Sequence, residues 1–203
     1  MKIYYINLED AEGMLAISLV ADPAVQKNFL CFSEDKPIKL QLANEAEHKV
    51  TGVVCLADTP IYRRDDVKGE YYIVFTKETI KAMVDRYAKN GLFNSVNLEH
   101  NPENFVNSVF MVECFIKDVD KGISPTGFED VPNGSLFCTF KVEDEKLWNE
   151  IVNTDHFNGF SLEGIFNLSQ YKLTPTRQPE SNKNAELSFD EEVTSLLDEL
   201  LAK

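Results

Sequence analysis

Almost every apolar run in this chain is short enough to be a strand and is closed by a turn signal, which narrows the folds open to it. Residues 3–8 and 15–20 are two such runs, and the second ends at Asp22-Pro23, where proline supplies no ladder donor. Ile38, Leu40 and Leu42 alternate with Lys39 and Gln41, and 50–56 follows as another strand. Further strands are expected at 61–64, 70–76, 95–99, 108–117, 135–142, 157–166 and 168–173. Helical spacing shows at two places before residue 174. Thr76 stands as an N-cap before Ile80, Met83, Val84 and Tyr87, and that helix closes near Asn90-Gly91. Asp144 caps a shorter helix whose apolar face is Leu147, Trp148 and Ile151. Strands and helices do not alternate, so a doubly wound parallel sheet is disfavoured. A β-rich α+β fold, built as a sheet or a barrel, is expected instead.

With 203 residues, 43% of them hydrophobic, the chain can bury a core. The patterned region spans 1–173. A polar linker over 174–187, with Pro175, Pro179, Ser181, Asn182 and Asn184, then leads to Ser188-Phe189-Asp190-Glu191, whose spacing is that of a capping box. The amphipathic helix it opens, 188–203, carries Val193, Leu196, Leu197, Leu200 and Leu201 and is too short to stand alone in water. Inside the domain, 118–134 is a long connection rich in Gly, Pro and Asp, a length that often marks a lid or binding loop.

The formal net charge of −14 repels phosphate backbones, so no nucleic-acid partner is expected. No apolar run approaches the ~20 residues that span a bilayer, and the first residues lack a signal-peptide pattern, so a cytosolic protein without a membrane partner is expected. Cys31, Cys55, Cys114 and Cys138 include no Cys-x-x-Cys pair, and three of them sit in apolar runs as small hydrophobes. A zinc site from Cys114, Cys138 and two of His48, His100 and His156 matches no known spacing, so no metal or cofactor is expected. Phosphate loops, Rossmann glycines, His-Glu-x-x-His and EF-hand loops are all absent from the sequence.

Two segments could carry chemistry: 96–101, ending in Glu99-His100-Asn101, and 158–164, Asn158-Gly159-Phe160-Ser161-Leu162-Glu163-Gly164. The strand period of two places Ser161 and Glu163 on one face and Phe160 and Leu162 on the other. Ser161 can serve as a nucleophile, and His100, at the end of its own strand, as a general base over a neighbouring strand. The spacing Gly-x-Ser-x-x-Gly is not that of the α/β-hydrolase elbow. Residue types and spacing alone stop at an acidic, β-rich cytosolic domain.

The segments taken together resemble the XkdF-like phage serine proteases, a branch of the prohead (capsid maturation) proteases. The matching pieces are residues 16–24, Pro60-Ile61-Tyr62-Arg63, Glu70-Tyr71-Tyr72-Ile73-Val74-Phe75, Asn97-Leu98-Glu99-His100-Asn101, Val112-Glu113-Cys114-Phe115-Ile116 and 158–164. The resemblance implies an assemblin-like fold, a mostly antiparallel β-barrel with flanking helices. It also implies a serine endopeptidase without cofactor, with Ser161 as nucleophile and His100 as base. Other prohead proteases carry a Ser-Leu-Val-x-x-Pro-Ala stretch after the nucleophile. Here Ser18-Leu19-Val20-Ala21-Asp22-Pro23-Ala24 precedes it, so a circular permutation is expected, with the first strand beside the last ones. The acid found before that stretch in relatives corresponds to Ala16. Glu163 is therefore the first candidate for the third triad member and Glu113 the second, unless Glu163 instead pairs with Arg63 or Arg64. Implied substrates are scaffold and major capsid proteins, with self-cleavage and homo-oligomerisation left open, in the host cytoplasm inside the assembling procapsid. The tail helix is expected to dock on a scaffold or capsid partner. The rival expectation is a non-catalytic capsid-assembly or cargo protein that keeps the protease fold.

Overall fold

The computed structural model describes residues 1–9, 11, 13–21, 40–101, 103–154 and 156–170. The linker 174–187, the helix 188–203, Cys31 and the Asp22-Pro23 stop lie outside the described residues. Strands β1 (Lys2–Asn7), β2 (Gly13–Val20), β3 (Gln41–Asn44), β4 (Lys49–Cys55), β5 (Ile61–Asp65) and β6 (Gly69–Val74) precede helix α1 (Lys77–Lys89). After it come β7 (Val96–Leu98), β8 (Val109–Ile116), β9 (Leu136–Val142), helix α2 (Glu145–Asn153), β10 (Gly159–Ile165) and β11 (Asn167–Gln170). Both helices start where a side chain can cap them. The Thr76 hydroxyl accepts from Thr79 N–H at 3.1 Å and the Asp144 carboxylate from Leu147 N–H at 2.7 Å. Among the described residues no helix is long and apolar enough to cross a membrane.

The strands form three sheets, in the orders β11-β1-β6-β5, β10-β2-β7 and β3-β4-β9-β8. Most pairings are antiparallel; β1 with β6 and β2 with β7 run parallel. The first two strands pair with the last two, β1 with β11 and β2 with β10. A β-rich α+β class is thus present, but among the described residues no sheet closes on itself. Single backbone bonds bridge the sheets instead: Leu40 N–H to Asn158 C=O at 3.0 Å, and Asp58 N–H to Phe75 C=O at 2.9 Å.

Side chains pack the sheets against one another. Gly52 of β4 leaves room for its neighbours, because a Cβ there would lie 2.5 Å from Leu40 and 2.9 Å from the Phe160 ring of β10. Phe160 is buried and its ring lies 4.7 Å from that of Phe140 on β9. Burying Phe160 inward turns its neighbours Ser161 and Glu163 towards the opposite face of β10. Helix α1 buries Ile80, Met83 and Tyr87 of the stripe its spacing predicts and half-buries the fourth member, Val84, and Arg86 ties it to the end of β1 through the Leu8 and Ala11 carbonyls.

The connection 118–134 is anchored through its second half. Phe128 and Val131 join Val53, Leu56 and Phe137 in a second apolar cluster. The ammonium of buried Lys117 donates to three carbonyls of this segment, Phe128 at 2.9 Å and Glu129 and Val131 at 2.8 Å. Its partners come from the β3-β4-β9-β8 sheet, including Gln41, whose amide donates to Gly127 C=O at 2.9 Å.

Candidate active site

The register of the three-stranded sheet brings distant polar residues into one row. Ser161 of β10 stands opposite Ser18 of β2, and Ser18 stands opposite Asn97 of β7. Paired residues project to the same face, about 5 Å apart. Glu163 occupies the next position on that face of β10 and lies directly across from Ala16. Immediately after it the ladder shifts register, a bulge that bends the strand and re-aims side chains. Gly164 makes the bulge feasible, because a Cβ there would meet the Gly13 carbonyl oxygen at 2.2 Å.

His100 reaches this row from a strained turn. Asn101 N–H closes back on Leu98 C=O at 3.0 Å, and both residues between, Glu99 and His100, have positive φ, 52° and 57°. Left-handed backbone at non-glycine residues costs on the order of 1 kcal/mol or more each and clusters at functional sites. The turn is held onto β2 twice. Glu99 N–H donates to Leu19 C=O at 3.0 Å, and the Glu99 carboxylate accepts from Ala21 N–H at 2.7 Å. These bonds keep the imidazole over the strand pair.

One carboxylate oxygen is the hub. Glu163 Oε1 lies 3.1 Å from His100 Nδ1 and accepts from Asn97 Nδ2 at 2.7 Å. The Ser18 hydroxyl also touches Oε1, lies 2.8 Å from Asn97 Oδ1, and is 3.1 Å from His100 Nδ1. Burial by itself raises the Glu163 carboxyl. The bonds from Ser18, Asn97 and His100, with the imidazole's charge, outweigh it and hold the group below the ordinary 4.5. Because Nδ1 faces two oxygens, the neutral ring carries its proton there, leaving Nε2 with the lone pair of a general base. The imidazole side chain is 46% exposed.

The structure therefore brings together His100 and Glu163, with Ser161 beside Glu163 on the same face. Ser161 is 5% exposed and makes no hydrogen bond to His100. Ser18, the hydroxyl that does touch the ring, is fully buried and sits on the Nδ1 side with the acid. That position belongs to the carboxylate's hydrogen-bond shell, not to a nucleophile facing Nε2. Glu163 pairs with neither Arg63 nor Arg64; Arg63 donates to Tyr62 C=O at 3.0 Å. Glu113 is placed on β8 in another sheet, where it accepts from Thr139 at 2.7 Å.

Among the described residues the histidines do not converge with the cysteines. Cys114 and Cys138 face each other across β8 and β9, His48 stacks on Trp148, and His156 lies against Phe157. Among the described residues no group of three or more His, Cys, Asp or Glu is arranged to hold a metal ion.

Sequence reasoning missed Ser18 and Asn97. Both lie inside segments singled out for resemblance, yet nothing local marks them as partners of Glu163. Only the pairing of β2 with β10 on one side and with β7 on the other does so. Compared with protein families, curated proteins and solved structures, the chain matches none.

Proposed function

We propose that this chain is a serine endopeptidase of phage head maturation, cleaving scaffold and capsid-protein segments inside the procapsid in the host cytoplasm. The carrying observation is the 3.1 Å contact between Glu163 Oε1 and His100 Nδ1, with Ser161 on the same strand face. In the reaction, His100 Nε2 takes the Ser161 proton as Oγ bonds to the scissile carbonyl carbon. The imidazolium, steadied by Glu163, gives that proton to the leaving amine as the C–N bond breaks, and water hydrolyses the acyl-enzyme by the same route. Self-cleavage and assembly into a homo-oligomer belong to the same reading.

Two features of the fold support it. The expected acid is replaced by Ala16, but Glu163 lies across the ladder from that position and reaches the same space from the partner strand. The pairing of β1 and β2 with β11 and β10 fits a permuted assemblin-like barrel, of which the three sheets would be arcs.

The second reading, a non-catalytic assembly protein, draws on the missing Ser161–His100 hydrogen bond. Catalytic hydrogen bonds are often loose before substrate binds, so that geometry alone does not decide. A fluorophosphonate serine label does. The protease reading expects labelling that maps to Ser161 and disappears in Ser161→Ala and His100→Ala, with new protein termini on co-expression with head proteins. An unlabelled chain that enters procapsids without producing new termini would leave the assembly reading.

A further inference from the structure

We propose that Asn97 and Ser18 are positioning residues that hold one oxygen of Glu163 as an ionised acceptor aimed at His100 Nδ1. The proposal rests on reading His100 and Glu163 as a catalytic pair.

Both side chains are fully buried, where an amide or hydroxyl must be paired. Their pairing is one closed circuit. Asn97 Nδ2 has to face Glu163, because its Oδ1 would set acceptor against acceptor. Oδ1 is thereby turned towards the Ser18 hydroxyl at 2.8 Å. Ser18 has one proton and two acceptors before it, Asn97 Oδ1 and Glu163 Oε1, while its own lone pair faces His100 Nδ1. Every member of the circuit is thus oriented by another, and all of it converges on Oε1. When His100 accepts a proton during catalysis, Glu163 must stay an anion, and the Asn97 amide, together with the one Ser18 proton that Oε1 shares with Asn97 Oδ1, resists its protonation. The other nearby acid, Glu99, accepts from Ala21 N–H, and the His100 imidazole is the ring that faces Glu163 directly. A residue that merely filled space would need the shape of Asn97 but not its donor.

That distinction sets the test. Asn97→Asp keeps the shape and turns the Nδ2 donor into an acceptor; Ser18→Ala removes the hydroxyl and opens only a small void. In the full chain carrying Ser161→Ala, carbon-detected NMR follows Glu163, and ring resonances follow His100. The expected result is a higher titration midpoint for Glu163 in both variants, larger in Asn97→Asp, where a second anion adjoins it. In chains that keep Ser161, the expected loss is about tenfold or more in kcat, with KM within about twofold. An unchanged Glu163 midpoint in either folded variant overturns the proposal. If Asn97→Asp does not fold, Ser18→Ala decides by the same readout. The titration needs no proteolysis. A shifted midpoint in a chain that cleaves nothing upholds the positioning and defeats the protease reading, whereas an unshifted midpoint in an active protease does the reverse.

Discussion

Two rows of polar side chains cross this protein, and they begin alike. One runs through Ser161, Ser18 and Asn97 over β10, β2 and β7; the other through Thr51, Thr139 and Glu113 over β4, β9 and β8. In each, a buried hydroxyl feeds a carboxylate. Thr51 and Thr139 share a hydrogen bond of 2.8 Å, and Thr139 donates to Glu113 at 2.7 Å. The second row stops there, because Glu113 has no imidazole beside it and lies at the surface. The first continues to His100, held out by two left-handed residues that the surrounding bonds keep in place. Hydroxyl plus carboxylate is ordinary sheet chemistry. A strained turn that brings a titratable ring to the carboxylate is what sets the first row apart.

The largest expected contrast is between the two acids. Under the proposed protease reading, Glu163→Gln should slow cleavage of a head-protein substrate by about 10³–10⁴-fold, since it removes the anion that orients and stabilises the imidazolium. Glu113→Gln should leave the rate within about twofold. Equal losses in a cleavage assay would erase the distinction drawn here.

Stability separates the rows next. Gly164→Ala drives a methyl into the Gly13 carbonyl, and Gly52→Ala drives one into Phe160. Each should cost about 1–3 kcal/mol in urea unfolding, with Gly164→Ala the more damaging because backbone cannot step aside. Only Gly164→Ala should also lower cleavage at a temperature where the variant stays folded. In the other row, Thr139→Val should cost about 1 kcal/mol through lost hydrogen bonds and leave cleavage unchanged.

The smallest effect is a pH dependence. Folding holds Glu163 below 4.5, so the stability it contributes is complete above that value and drains away as pH falls through the lowered one. Glu163→Gln should therefore flatten the acid side of the stability curve. An acid limb in urea titrations that is identical with and without Glu163 would show its bonds to be weaker than the geometry implies.

Much of this was legible in the sequence because the evidence for it was local. Thr76 and Asp144 announce their helices, and the period of two puts Ser161 and Glu163 on one face. The parts that were not legible depend on long-range pairing. Ser18 lies 79 residues from Asn97 and 145 from Glu163, and no alternation pattern encodes which strand will lie beside which. The glycines and prolines of 118–134 mark it as a lid or binding loop without showing what anchors it. Lys117, which pins it, sits just outside and reads as an ordinary strand-end cation.

The pairing of first strands with last also sets a timetable for synthesis. β1 and β2 leave the ribosome early, but one edge of each has no partner until β11 and β10 have been made. At 5–20 residues per second that wait is on the order of ten seconds, during which two open edges must avoid neighbouring chains. Nor can a half-made chain join Glu163 to His100, because the glutamate is translated 63 residues after the histidine. Translation thus imposes its own delay: the ribosome has nearly finished with the domain before the two halves of the pair can meet.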